Sequence, residues 1–181
     1  MRNTPDITII GAGISGNKVP DLLGRVESDV LSQHPTTVVI CIGINDVWHE
    51  ALGLGGTPPD AFDNGLRTLI GRIQKAGAKV ILCTPSVIGE KYDGTNPLDA
   101  QLDKYADITR RIARDMDCGL CDLRRIFILH LQQYNPNNLE RGILTRDGVH
   151  LTRRGNTLVA DSLLLLLSPA SARSRTTNAE H

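Results

Sequence analysis

The sequence predicts an α/β domain with a mostly parallel sheet covered by helices on both faces. Three observations carry that prediction. Short, β-branched apolar runs recur at residues 6–10, 38–42 and 79–83. Segments with apolar residues at helical spacing lie between them. Glycine or proline follows close behind each run, at Gly11, Gly43 and Pro85. Continuous apolar runs suit strands buried on both faces, and strands alternating with helices mean crossover units in a parallel sheet. In such sheets, sites form outside the carboxyl ends of the strands.

Taken in order, residues 6–10 (Asp-Ile-Thr-Ile-Ile) read as a buried strand ending in a tight glycine loop. Val19, Leu22, Leu23, Val26, Val30 and Leu31 then recur at helical spacing, and Pro20 suits the first turn of that helix. Residues 38–42 form the second expected strand, and the Gly- and Pro-rich stretch 51–59 reads as loop. Asp60 is placed to cap a helix carrying Phe62, Leu66, Leu69, Ile70 and Ile73. Gly77 stops it before the third strand at 79–83. Residues 84–97 make a long loop, a length that is often functional and as often merely surface. A helix is expected from about Leu98 to Met116, a short strand over 119–123, and a short helix over 126–131. After a polar loop and the segment 145–152, a last helix starts near Arg154. Residues 1–167 are therefore read as one domain, and the polar, aperiodic 168–181 as a disordered tail.

Bulk properties exclude several functions. At 181 residues the chain can bury a real core. Its formal charge is zero with scattered Lys and Arg, so no basic face for nucleic acid is visible. Aromatics make up 3% of residues, too few for a base-stacking platform. Cys41 and Cys83 lie in apolar runs, and Cys118 and Cys121 have redox or metal spacing but no second pair. Two thiols on or beside a short strand is the simpler reading. No secretory signal and no membrane span is present, and a reduced cytoplasmic setting fits. The histidines do not cluster with carboxylates at metal-ligand spacing, so no metal is expected.

The organising stretch is Asp147-Gly-Val-His150. An acid and an imidazole three residues apart, with a glycine between, can be aimed at one place while the backbone turns. An Asp that fixes a His is half of a nucleophilic hydrolase, because it sets the tautomer and stabilises the imidazolium. The other half is a hydroxyl and an oxyanion hole. Gly11-Ala-Gly-Ile-Ser-Gly16 satisfies a dinucleotide-binding pattern, but that pattern needs a helix opening within the loop and an acidic residue about 20 positions on. Pro20 delays the helix, since a proline inside one costs ~3 kcal/mol, and residues 38–42 offer no acid. The other reading takes Gly16 with Asn45, an amide N–H and a side-chain amide converging on one oxygen. Asn45-Asp46 capping the next turn is the plainer alternative.

Together these residues resemble the SGNH (GDSL-type) hydrolases, a family of esterases and lipases. Gly13-Ile-Ser-Gly16-Asn is similar to its second block, Gly43-Ile-Asn45-Asp46 to its third, and Asp147-Gly-Val-His150 to its fifth. The resemblance runs from about Ile7 to Leu166 and implies a flavodoxin-like, three-layer α/β/α sandwich. It implies Gly16 and Asn45 as oxyanion donors, His150 as base and Asp147 as its orienting acid. Trp48 and His49 follow the asparagine block and are candidates to line the pocket. A small-molecule ester substrate and no cofactor are implied, with the ester and the oligomeric state left open. The family's nucleophile sits in a Gly-Asp-Ser motif after its first strand, and no Gly-Asp-Ser occurs here. The family's first strand also lies between the strands assigned to 7–10 and 38–42. The expectation is therefore an N-terminally truncated member, inactive as it stands. A ligand-binding pseudo-enzyme and a dinucleotide module through Gly11–Gly16 are the alternatives. Ser15 is the only serine beside the proposed hole, and Ser86 is a weaker candidate for a rerouted nucleophile.

Overall fold

A computed structural model describes residues 7–167 of the chain. The disordered tail expected over 168–181 lies outside the described residues. Three strands, β1 (Thr37–Cys41), β2 (Lys79–Cys83) and β3 (Gly119–Cys121), form a parallel sheet in the order β1-β2-β3. Val39 pairs with Ile81 and Leu82 with Leu120, so the register brings Cys41, Cys83 and Cys121 side by side at the carboxyl ends. All four cysteines are free thiols.

Among the described residues the α-helices are α1 (Val19–Asp29), α2 (Ile44–Ala51), α3 (Pro59–Lys75), α4 (Asp99–Asp115), α5 (Leu123–Tyr134) and α6 (Arg153–Leu167). Successive residues of a strand point to opposite faces of a sheet. Val80 and Leu82 accordingly join a core with Val26 of α1, Phe62, Leu66 and Ile70 of α3, and Leu102, Tyr105 and Ile112 of α4. Ile81 and Cys83 join a second core with Phe127 and Leu131 of α5, against which Leu158 and Leu163 of α6 pack. Both faces of β2 are thus covered, which gives the α/β/α sandwich. The unbroken apolar run over residues 80–83 is the sequence signature of that double burial.

Residues 7–10 do not form the expected strand. They are irregular and exposed, with Ile9 83% accessible. A strand needs a neighbour for its backbone groups, and β1 pairs only with β2 among the described residues. β-propensity in a run of isoleucines does not supply that neighbour. Val39 and Cys41, on the face of β1 away from α1 and α3, are exposed as well.

Other differences are local. Helix α3 starts at Pro59 with Pro58 as N-cap, so Asp60 is an acid in the first turn rather than the cap. Its charge there still suits the positive end of the helix dipole. Helix α5 is twice the expected length because Asp122 ends β3 and caps it, accepting from the Arg125 amide and pairing with Arg110 and Thr84. Arg124, in the first turn of α5, is 4% exposed and bonds Asp99 and Asp103 of α4. No helix among the described residues is long and apolar enough to cross a membrane.

Candidate active site

The site lies beyond the carboxyl end of β1. Gly43 is the N-cap of α2, so the helix opens two residues after the strand ends. Asn45, Trp48 and His49 are therefore helical, on an element for which the sequence reading assigns no helix. Helix α2 is only eight residues long and runs straight into the glycine-rich stretch that follows, which hides its period. Its buried residues are Asp46 and Val47, and positions i, i+3 and i+4 put Asn45, Trp48 and His49 on one face.

That face meets the other predicted residues. The Asn45 side-chain amide donates to the Asn17 carbonyl at 3.1 Å. His49 Cε1 lies 3.9 Å from the point where a Cβ on Gly16 would sit. The Trp48 and His150 rings meet edge-to-face with centroids 5.9 Å apart. Gly16, Asn45, Trp48, His49 and His150 thus occupy one neighbourhood, although they span 135 positions of sequence. Asn45 uses one of its two amide hydrogens on Asn17 and keeps the other.

Asp147 and His150 form a pair on a turn. Asp147 Oδ2 is 2.8 Å from His150 Nδ1. Its Oδ1 accepts the backbone amides of His150 and Val149 at 2.8 and 3.0 Å. The His150 amide, then its ring, then the Val149 amide hold the Asp147 carboxyl well below the usual carboxylate range. A single acid thus fixes both the ring and the backbone that carries it. The turn is closed by Arg146 N–H donating to the His150 carbonyl at 2.8 Å and by an antiparallel bridge between Thr145 and Leu151. Gly148 sits at φ 98°, a conformation that side chains disfavour. Both ring and acid are about half exposed, so a reactant can reach Nε2.

Ser15 is exposed in the turn before Gly16, and Ser86 is half-buried after β2. The amino end of α1 is already occupied. Val19 N–H donates to Asp46 Oδ1 at 3.1 Å, and Lys18 N–H donates to Asp21. A carboxylate therefore sits where a dinucleotide's pyrophosphate needs free amides. Among the described residues no group of three or more His, Cys, Asp or Glu side chains is arranged to hold a metal ion.

Asp46, which carries no role of its own in the sequence reading, is fully buried. Burial raises its pKa against the opposing pull of the Thr57 hydroxyl and the Val19 amide. Oδ2 and the Thr57 hydroxyl are close without meeting in hydrogen-bond geometry. A raised folded pKa means that Asp46 favours folding below the ordinary aspartate value of 3.8 and loses that contribution as pH rises through the raised value. Asp46→Asn keeps the acceptor for Val19 and adds a donor for Thr57. The variant is expected to be more stable than the native protein at pH 7–8 by roughly 1 kcal/mol, an advantage that shrinks toward pH 4. Thermal unfolding across that range checks it, and a pH-independent difference would refute the burial argument.

Comparison with known proteins finds relatives of this chain. A family model described as the GDSL-like lipase/acylhydrolase family matches residues 2–158. The chain is 31% identical to an acetylxylan esterase of Geobacillus stearothermophilus over 174 residues, covering 93% of this chain and 76% of that protein. The crystal structure of the acetyl xylan esterase AlAXEase superposes with a TM-score of 0.86 at 47% identity, over 87% of this chain and 80% of that one. Solved catalytic mutants of the Geobacillus enzyme replace a histidine in one case and a serine in another by alanine. Each aligns over 84% of this chain and 68% of the mutant chain, with a TM-score of 0.74 at 30% identity for the histidine mutant and 0.75 at 31% for the serine mutant.

Proposed function

This chain belongs to the GDSL-like lipase/acylhydrolase family, and from that premise we propose that its site is built for ester hydrolysis through an acyl-enzyme, with acetyl groups on xylan-type oligosaccharides as substrate. The observation that carries the reading is the 2.8 Å contact between Asp147 Oδ2 and His150 Nδ1, with the ring packed on the helix that presents Asn45. His150 takes a proton at Nε2 from an attacking hydroxyl and returns it to the leaving alcohol. Asp147 holds the opposite nitrogen and stabilises the imidazolium. The Gly16 amide and the Asn45 side chain receive the oxyanion, a contribution of about 3–4 kcal/mol per donor where such donors have been removed. Trp48 and His49 wall the pocket on the α2 side. The substrate class is supported by the acetylxylan esterases to which the chain is similar.

The 181-residue chain contains the base, the orienting acid and the oxyanion donors, but no Gly-Asp-Ser. Ser15 immediately precedes Gly16, which would have to move for its hydroxyl to attack. The chain is therefore expected to give no hydrolysis of p-nitrophenyl acetate above background. Robust turnover abolished by Ser15→Ala would overturn this in favour of a serine within the glycine loop. The missing motif also favours a second reading, a ligand-binding protein on an esterase scaffold. Calorimetric binding of an acetylated xylo-oligosaccharide without release of acetate would support it, and an absence of both binding and turnover would sink the carbohydrate assignment.

A further inference from the structure

Glu90 lies in the long loop after β2 and plays no part in the chemistry just described. It is 0% exposed. Its Oε1 accepts the Leu144 amide at 2.7 Å, the Thr145 hydroxyl at 2.6 Å and the Thr145 amide. Its Oε2 accepts the Ile143 amide at 2.8 Å. The carboxylate thus gathers three consecutive amides and a hydroxyl from the strand of chain that enters the Asp147–His150 turn. The backbone beside it grips the same turn. Gly89 N–H donates to the Gly148 carbonyl and Glu90 N–H to the Glu140 carbonyl, both at 2.8 Å. The Glu90 carbonyl accepts the side-chain amide of Asn135, which is itself buried and bonds Leu139 in both directions.

We propose that Glu90 is a positioning residue for the Asp147–His150 pair, holding the turn through residues 143–145, beside the Gly89 amide on Gly148, so that the ring of His150 keeps one orientation. Three features separate this from ordinary loop packing. The Asp147 and His150 side chains are half exposed and bond chiefly to each other, and the turn's other bonds, from Gly142, Arg146 and Thr152, stay within residues 142–152. A buried carboxylate is expensive unless hydrogen-bonded, so one that is spent entirely on a single short segment fixes that segment strongly. The grip also lands on both sides of Asp147, at Thr145 before it and at Gly148 after it. Catalytic geometry tolerates displacements of only about half an ångström, which is why such supports matter. The inference rests on His150 being the base of the proposed site.

The test uses the 181-residue chain and reads the imidazole directly. In the native protein the 15N chemical shifts of the neutral His150 ring should report a single Nδ1–H tautomer, bonded to Asp147. Glu90→Gln inserts two donors among three amides and a hydroxyl, and is expected to lose that single-tautomer signature while the far-ultraviolet circular dichroism is kept. Hydrogen exchange at residues 143–145 should quicken in parallel. Faster exchange there with an unchanged His150 signature would overturn the proposal, leaving Glu90 a structural residue only. Should Glu90→Gln fail to fold, Thr145→Val removes one of the four donors and is read on the same ring signals. A partial loss of the signature is expected, and no change would overturn the proposal. Turnover that survives His150→Ala would sink the reading of His150 as base without altering these ring measurements on the native chain, so the two failures are distinguishable.

Discussion

Replacing Gly155 by alanine is expected to destabilise the protein by about 3 kcal/mol and to lower its melting temperature by roughly 6–12 °C. Gly155 is buried in the first turn of α6. A Cβ there would lie 2.2 Å from the Leu144 carbonyl oxygen and 3.2 Å from Leu151 Cδ2. The first of these is backbone, and it cannot swing aside as a side chain does. Leu144 is held at its amide by Glu90 and at its carbonyl by the Thr152 amide and hydroxyl. The added methyl must therefore lift α6 or push the 143–145 segment out of the grip of Glu90. Circular dichroism melting checks the size of the effect. An unchanged melting temperature would mean that α6 moves freely on the turn, which is incompatible with the packing described.

Phe62→Ala is expected to cost about 4 kcal/mol, or roughly 8–16 °C in melting temperature, the range for a fully enclosed aromatic that leaves a cavity. Phe62 is 0% exposed and packs on the Tyr105 ring with centroids 4.9 Å apart. Its consequences reach the site. The ring tip lies 3.5 Å from where a Cβ on Gly43 would sit, and Gly43 is the N-cap of α2. Emptying that space removes the floor beneath the helix that presents Asn45. Trp48 is the chain's one tryptophan, so its fluorescence isolates the response of α2. A red-shifted emission is expected together with the stability loss. Lost stability with native Trp48 emission would show that the core is uncoupled from the site.

The Asp147–His150 pair was legible because it is local. Three residues and a glycine contain the whole turn, and the carboxylate closes on its own backbone amides. The strands at β1 and β2 and the helices α1, α3 and α4 were legible for the same reason. Period and capping are set by neighbours along the chain. Helix α2 was not, since eight residues beside a glycine-rich loop carry too little period to read. The isoleucines at 7–10 were misread because strand formation is a property of two segments, and β1 pairs elsewhere.

What the sequence alone determined is the alternation of strand and helix and the family resemblance, with the acid, the imidazole and the amide donors as candidates. What only the tertiary structure decided is their meeting. The face of α2 sets Trp48 against a ring 102 positions away. Asp46 shows itself as a buried tie to α1. Glu90 emerges from the long loop after β2 to hold residues 53 to 55 positions further on. The physical reason is one of range. Hydrophobic period and turn chemistry act over a few residues, whereas a buried carboxylate finds its donors only after the sheet has brought distant segments together.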